Sequence, residues 1–121
     1  MMRIAISSTG TDLDAVIDSR FGRAGGFVVV EEDGSTRPLS NEQNLQAAQG
    51  AGIQAAQNLI RAGVTLVITG HVGPKAFTTL SAAGIAVICG ATGTGHEALE
   101  AYRSGALHVT QTADVEDHFG P

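Results

Sequence analysis

The stretch Gly90-Ala91-Thr92-Gly93-Thr94-Gly95-His96 carries glycines and hydroxyls at a spacing by which main-chain amides can cradle an anion, directly behind a hydrophobic run ending at Cys89. A phosphate loop would continue with Lys and then Ser or Thr, and His96-Glu97 stand there instead. Gly93-Thr94-Gly95-His96-Glu97-Ala98 matches a dinucleotide fingerprint in form only, since no later strand ends in a ribose-binding acid. Cys89 ahead of the loop suggests a phosphatase nucleophile, but the arginine that such a loop requires falls at Gly95. The thiol is then better placed as a buried strand residue.

Two other segments carry cations among glycines. Arg20 and Arg23 lie in Asp18-Ser19-Arg20-Phe21-Gly22-Arg23, and Lys75 closes Gly70-His71-Val72-Gly73-Pro74-Lys75. Asp12, Asp14 and Asp18 oppose an anion nearby, and surface pairing with the arginines is as good a reading of them as any other. His71, His96, His108 and His118 have no partners at zinc-site spacing. His108 and His118 are expected to have no part in a site; His71 and His96 stay open between guest contact and an inert loop position.

Hydrophobic patterning predicts the elements that would position these residues. Met2–Ser7, Phe27–Glu31 and Thr36–Leu39 have strand character, with Asp33-Gly34 supplying hairpin chemistry and Pro38 assigning the third strand to a sheet edge. Ile53, Ala56, Leu59 and Ile60 recur at helical spacing within Gly52–Ala62, and Gly63 follows as a stop. Strands at Thr65–Thr69 and Ile85–Cys89 alternate with helices at Ala76–Ala83 and Glu97–Arg103, and Leu107–Val109 adds a short last strand.

That order predicts an α/β, ribonuclease H-like three-layer fold. Its mixed five-stranded sheet has order 3-2-1-4-5, with strand 2 antiparallel and helices on both faces. Residues 1–110 form the domain and 111–121 a polar tail. In such a sheet Ser8–Gly26, Ser40–Gly50, Gly70–Pro74 and Gly90–His96 converge at the carboxyl edge, where open α/β sheets bind ligands. Helix starts after Gly73 and Gly95 add partial positive charge there, about 0.3–1 kcal/mol each at exposed sites. A ribonuclease H nuclease needs acids inside its first strand, and Arg3-Ile4-Ala5-Ile6-Ser7 has none.

Composition narrows the function further. Of 121 residues 43% are hydrophobic and 16% charged, enough apolar side chain for a core and too little charge for a disordered chain. Net charge is −5 with no Lys/Arg run, so nucleic acid is not an expected partner. No apolar stretch reaches the roughly 18 residues that span a bilayer, and the start lacks a signal-peptide core. A single cysteine suits a reducing compartment, so the cytoplasm is expected.

The motifs Asp18-Ser19-Arg20-Phe21-Gly22-Arg23-Ala24, Gln49-Gly50-Ala51-Gly52-Ile53 and Thr69-Gly70-His71-Val72-Gly73-Pro74-Lys75-Ala76-Phe77 resemble, in order and spacing, the dinitrogenase iron–molybdenum cofactor biosynthesis family. The likeness runs from about Met2 to Val109. Within the family the chain is most similar to the orange proteins of sulfate-reducing bacteria, which carry a molybdenum–copper sulfide cluster without covalent attachment. The resemblance implies a non-catalytic carrier of an anionic metal–sulfur cluster, either molybdenum–copper sulfide or an iron–molybdenum cofactor precursor.

Carried over by position, Arg20, Arg23, Gly70, His71, Val72, Gly73, Lys75, Thr92, Gly93, Thr94, Gly95 and His96 would line the site. Many relatives have an aromatic residue where this chain has Gly26, which opens one wall. Cys89 lies outside the matched motifs, so thiolate ligation is without support from them. Two other classes compete: a nucleotide or phosphometabolite module using Gly90–His96, and an interaction protein docking to a partner ATPase complex.

Overall fold

Side-chain alternation along the strands decides the layers. In the computed structural model, which describes residues 2–41 and 50–110, the chain forms β1 (Ile4–Ser8), β2 (Gly26–Val30), β3 (Thr36–Ser40), α1 (Ala51–Arg61), β4 (Leu66–Ile68), α2 (Pro74–Ala82), β5 (Ala86–Ile88) and α3 (Gly95–Arg103). The sheet order is β3-β2-β1-β4-β5. β2 is antiparallel to β1 and β3, whereas β4 runs parallel to β1 and β5 parallel to β4. This is the expected ribonuclease H-like topology.

On one face Ala5, Phe27, Val67 and Val87 pack beneath Ala55, Ala56 and Leu59 of α1 and Ala76 and Leu80 of α2. On the other, Ile4, Ile6, Val28, Val30, Leu66, Ile68 and Ile88 meet Ala98 and Leu99 of α3 and Leu13 and Ile17 of the first loop. Every residue of β1 is buried, as a strand covered on both faces requires. Full burial of a side chain such as Leu59 or Leu80 is worth about 1.5–3 kcal/mol.

Local chemistry sets the boundaries. The β2–β3 hairpin closes with Glu31 N donating to Ser35 O at 2.8 Å and with Gly34 at φ 91°, a backbone angle that glycine adopts without strain. Pro38, with no amide proton, stands opposite Val28 on the edge strand. At the amino edge Arg3 Nε donates to Glu31 Oε1 at 2.8 Å and Arg3 Nη1 to Ala62 O at 2.6 Å, tying β1 and β2 to the end of α1.

Three details differ from the sequence-based expectation. α1 turns Ala51, Ala55, Ala56 and Leu59 inward and leaves Ile60 38% exposed, because the buried stripe follows the i, i+4, i+8 line of Ala51, Ala55 and Leu59 and Ile60 falls beyond its margin. α2 and α3 begin earlier than expected, at Pro74 and Gly95. Leu107–Val109 is not a strand; instead Thr110 N donates to Val87 O at 2.7 Å and Thr110 Oγ1 accepts from Cys89 N at 3.0 Å. The expected 111–121 tail and most of the Ser40–Gly50 segment lie outside the described residues.

Candidate functional site

The long first loop does not hang free over the carboxyl edge; its backbone is bonded across the ends of three strands. Asp18 N donates to Ser7 O at 2.9 Å, His71 N to Ser19 O at 2.7 Å, Phe21 N to His71 O at 3.0 Å and Ile17 N to Gly93 O at 2.8 Å. Short bridges at Ser8–Ile17, Val16–Thr94 and Arg20–His71 give it strand-like pieces. Gly70 is required beneath it, since a Cβ there would stand 2.7 Å from both Ser19 Cα and Ser19 O. Buried Ser7 Oγ donates to Asp18 O at 2.6 Å, fixing the middle of the loop to β1.

The same loop closes the start of α3. Gly95 N donates to Ala15 O at 3.1 Å and His96 N to Leu13 O at 3.0 Å. Thr94 and Glu97 form a reciprocal capping box, with Thr94 N on Glu97 Oε1 at 2.8 Å and Glu97 N on Thr94 Oγ1 at 3.2 Å. The four amides that an anion would use there are already satisfied. His96 Nε2 lies 3.0 Å from Asp14 Oδ1, so a carboxylate also covers this helix start.

The starts of α1 and α2 are arranged differently. Neither has a side-chain cap or an acid in its first turn, and their N-caps are Gly50, at φ 78°, and Gly73. Both open on one cavity of about 400 Å³ lined by Phe21 and Gly22 of the loop, Gly50, Gly52 and Ile53, and Gly73 to Ala76. Among the described residues no hydrogen-bond acceptor meets the amides of Gly52, Ile53, Lys75 or Ala76. Phe21, Ile53 and Pro74 supply an apolar wall. Lys75 and Arg23, next to Gly22, are exposed and have no carboxylate partner among the described residues. Two helix starts facing one space add positive potential, up to about 2 kcal/mol each in partly buried geometry.

The expected site residues therefore divide. Gly73 and Lys75 line the cavity, and Arg23 adjoins it. Arg20 is exposed, with Nε 3.6 Å from Asp18 Oδ1, while His71 holds the loop through its backbone. Val72 is 1% exposed and serves the core. Thr92, Gly93, Thr94, Gly95 and His96 belong to the closed α3 start and do not line the cavity. Cys89 is half-buried against the core beneath α1 and α2, in no disulfide.

Gly22, Gly50, Gly52 and Ile53 line the cavity without having been expected as site residues. The signal available was their place in the family motifs. A larger cavity of about 480 Å³ beside Ser8–Thr11, Gly25–Phe27 and Pro38–Ser40 has no charged lining residue and receives no helix start, so it offers an anion less. Among the described residues no group of three or more His, Cys, Asp and Glu is gathered to hold a metal ion.

Fold and site together define a small α/β protein with an open, cation-flanked amide cavity at its sheet's carboxyl edge. The chain belongs to the family described as "Dinitrogenase iron-molybdenum cofactor", whose profile matches residues 2–105.

Among solved structures it is similar to the apo form of the orange protein from Desulfovibrio gigas, with 40% identity and a TM-score of 0.91 over 94% of this chain and 97% of that one. It is also similar to a Thermotoga protein named for NifB, at 37% identity and a TM-score of 0.83, covering 96% of this chain and 99% of the other. A Methanocaldococcus jannaschii protein named for dinitrogenase shares the fold, at 17% identity and a TM-score of 0.67 over 92% and 96% of the two chains. No curated protein matches the chain by sequence.

Proposed function

We propose that this protein is a non-catalytic carrier of an anionic metal–sulfur cluster, held without covalent bonds in the cavity between the first turns of α1 and α2. The observation that carries the reading is the pairing on one 400 Å³ space, beside Lys75 and Arg23, of two helix starts with no acid in the first turn and, among the described residues, no side-chain cap. Family membership supports a molybdenum- or iron-containing sulfide cargo. The likeness to the orange protein favours a molybdenum–copper sulfide over an iron–molybdenum cofactor precursor.

The division of labour follows from the chemistry of such a guest. Its sulfurs are weak hydrogen-bond acceptors spread over a large surface, so many modest donors suit it better than one strong clamp. The amides of Gly52, Ile53, Lys75 and Ala76 supply those donors. Lys75 and Arg23 balance charge, and Phe21, Ile53 and Pro74 exclude water from the sulfide surface. In this reading Thr92 to His96 shape the protein and do not touch the cargo, and a cytoplasmic setting suits a sulfide cluster and a lone thiol.

The α3 start, with its amides occupied, favours this reading over a nucleotide module at Gly90–His96. Anaerobic mixing of the protein with tetrathiomolybdate and copper, followed by gel filtration, tests it. A coloured complex in which metal, sulfide and protein co-elute is expected. Colourless protein, or heat of binding with ATP or NAD in place of the thiometallate, refutes the carrier reading.

A further inference from the structure

Glycine costs about 0.5–1 kcal/mol against alanine in the middle of a helix, and one inside the first turn of α1 also raises the question of what a side chain there would meet. Backbone conformation is not the reason at Gly22 or Gly52, since neither has a positive φ. At Gly22 the reason is contact: an added Cβ would stand 2.8 Å from Gly52 Cα and 2.9 Å from Gly52 N. The loop therefore rests directly on the backbone of α1. At Gly52 an added Cβ would meet only Ala76 Cβ, at 3.1 Å. A methyl group at this position therefore demands a shift of a few tenths of an ångström between α1 and α2.

The cavity is where that shift is felt. Gly22, Gly52 and Ala76 all line it, and any parting of α1 from α2 separates the two helix starts that open on it. We propose that Gly52 is a specificity-determining residue of the cavity, kept without a side chain so that both helix starts reach the same bulky anion. This rests on the carrier function proposed above. A large thiometallate, with weak acceptors, needs both helix starts at once; a small oxyanion with strong acceptors is held by one. Gly52 accordingly selects for size among anions of equal charge and shape.

The experiment compares tetrathiomolybdate and molybdate, both tetrahedral dianions, by equilibrium dialysis on wild type, Gly52→Ala, and Gly52→Ala combined with Ala76→Gly. Gly52→Ala should weaken tetrathiomolybdate by about tenfold or more and molybdate by less than about threefold. Its thermal midpoint should stay within about 5 °C of wild type, and Ala76→Gly should restore thiometallate affinity by removing the 3.1 Å contact.

Unchanged tetrathiomolybdate affinity in Gly52→Ala, equal losses for both anions, or a larger fall in midpoint would assign Gly52 to helix packing and overturn the inference. Wild-type protein that binds no thiometallate refutes the carrier reading, whereas wild type that binds while Gly52→Ala binds equally refutes only the role of Gly52.

Discussion

The hydroxyls of Ser7 and Thr69 lie 2.8 Å apart in full burial, joining the end of β1 to the residue that follows β4. Ser7 has one proton, and it is directed to the carbonyl of Asp18 at 2.6 Å, so Thr69 is the donor between the two hydroxyls. The pair turns the sheet's interior into an anchor for the loop above it.

Removing Ser7 therefore costs more than removing Thr69. Ser7→Ala strands both the Asp18 carbonyl and the Thr69 hydroxyl, and should lower stability by about 1–3 kcal/mol. Thr69→Val keeps the Ser7–Asp18 bond and the side-chain shape, and should cost about 1 kcal/mol. Urea denaturation of the two variants gives the ranking directly, and a larger loss in Thr69→Val would contradict the donor assignment.

Acid should loosen the opposite edge. The hydrogen bond from Arg3 holds the Glu31 carboxyl below its ordinary value of 4.5, with the charges of Arg3 and Arg37 acting in the same direction against a desolvation effect. A carboxyl depressed on folding contributes stability that is present above 4.5 and is lost as pH falls below that value through the folded-state pKa. Wild type should thus lose stability more steeply than Glu31→Gln as pH is lowered through this window. Parallel curves in thermal melts from neutral to acid pH would show that the Arg3 contact contributes nothing.

The capping box at α3 separates stability from binding. Thr94→Ala removes the acceptor for Glu97 N and should cost about 1 kcal/mol. Because the α3 start is closed, thiometallate affinity should not change. Lys75→Met and Arg23→Met should do the reverse, leaving the melt unaltered while each weakens binding about two- to fivefold at low salt, an effect that shrinks as salt rises. Dialysis and thermal melts on the same three variants check both halves.

How much of this was visible in the sequence depended on whether the feature repeats. β1, β2, β4 and β5 announce themselves by alternating or continuous apolar residues, and Asp33-Gly34 and Pro38 mark the hairpin and the edge, so sheet order followed from the element order. The path of the first loop rests on single backbone bonds, such as His71 N to Ser19 O, that no periodicity encodes. Its effect on α3 was hidden for the same reason.

Gly93 to His96 have the composition of an anion loop, yet the carbonyls of Leu13 and Ala15, distant in sequence, occupy the amides of His96 and Gly95. Thr94 and Glu97 did carry a local signal, the Ser/Thr-x-x-Glu spacing of a capping box. Gly52 gave the converse case. In one dimension it is a weak spot near a helix start, and only the approach of Ala76 in space gives its missing side chain a purpose.

Titration of isotopically labelled protein with the copper–thiomolybdate complex, followed amide by amide by NMR, tests the central claim most directly. The account predicts that the signals of Gly52, Ile53, Lys75 and Ala76 move together while those of Gly93, Thr94, Gly95 and His96 stay in place. Movement confined to the Gly93–His96 amides, or spread evenly over the surface, would contradict it.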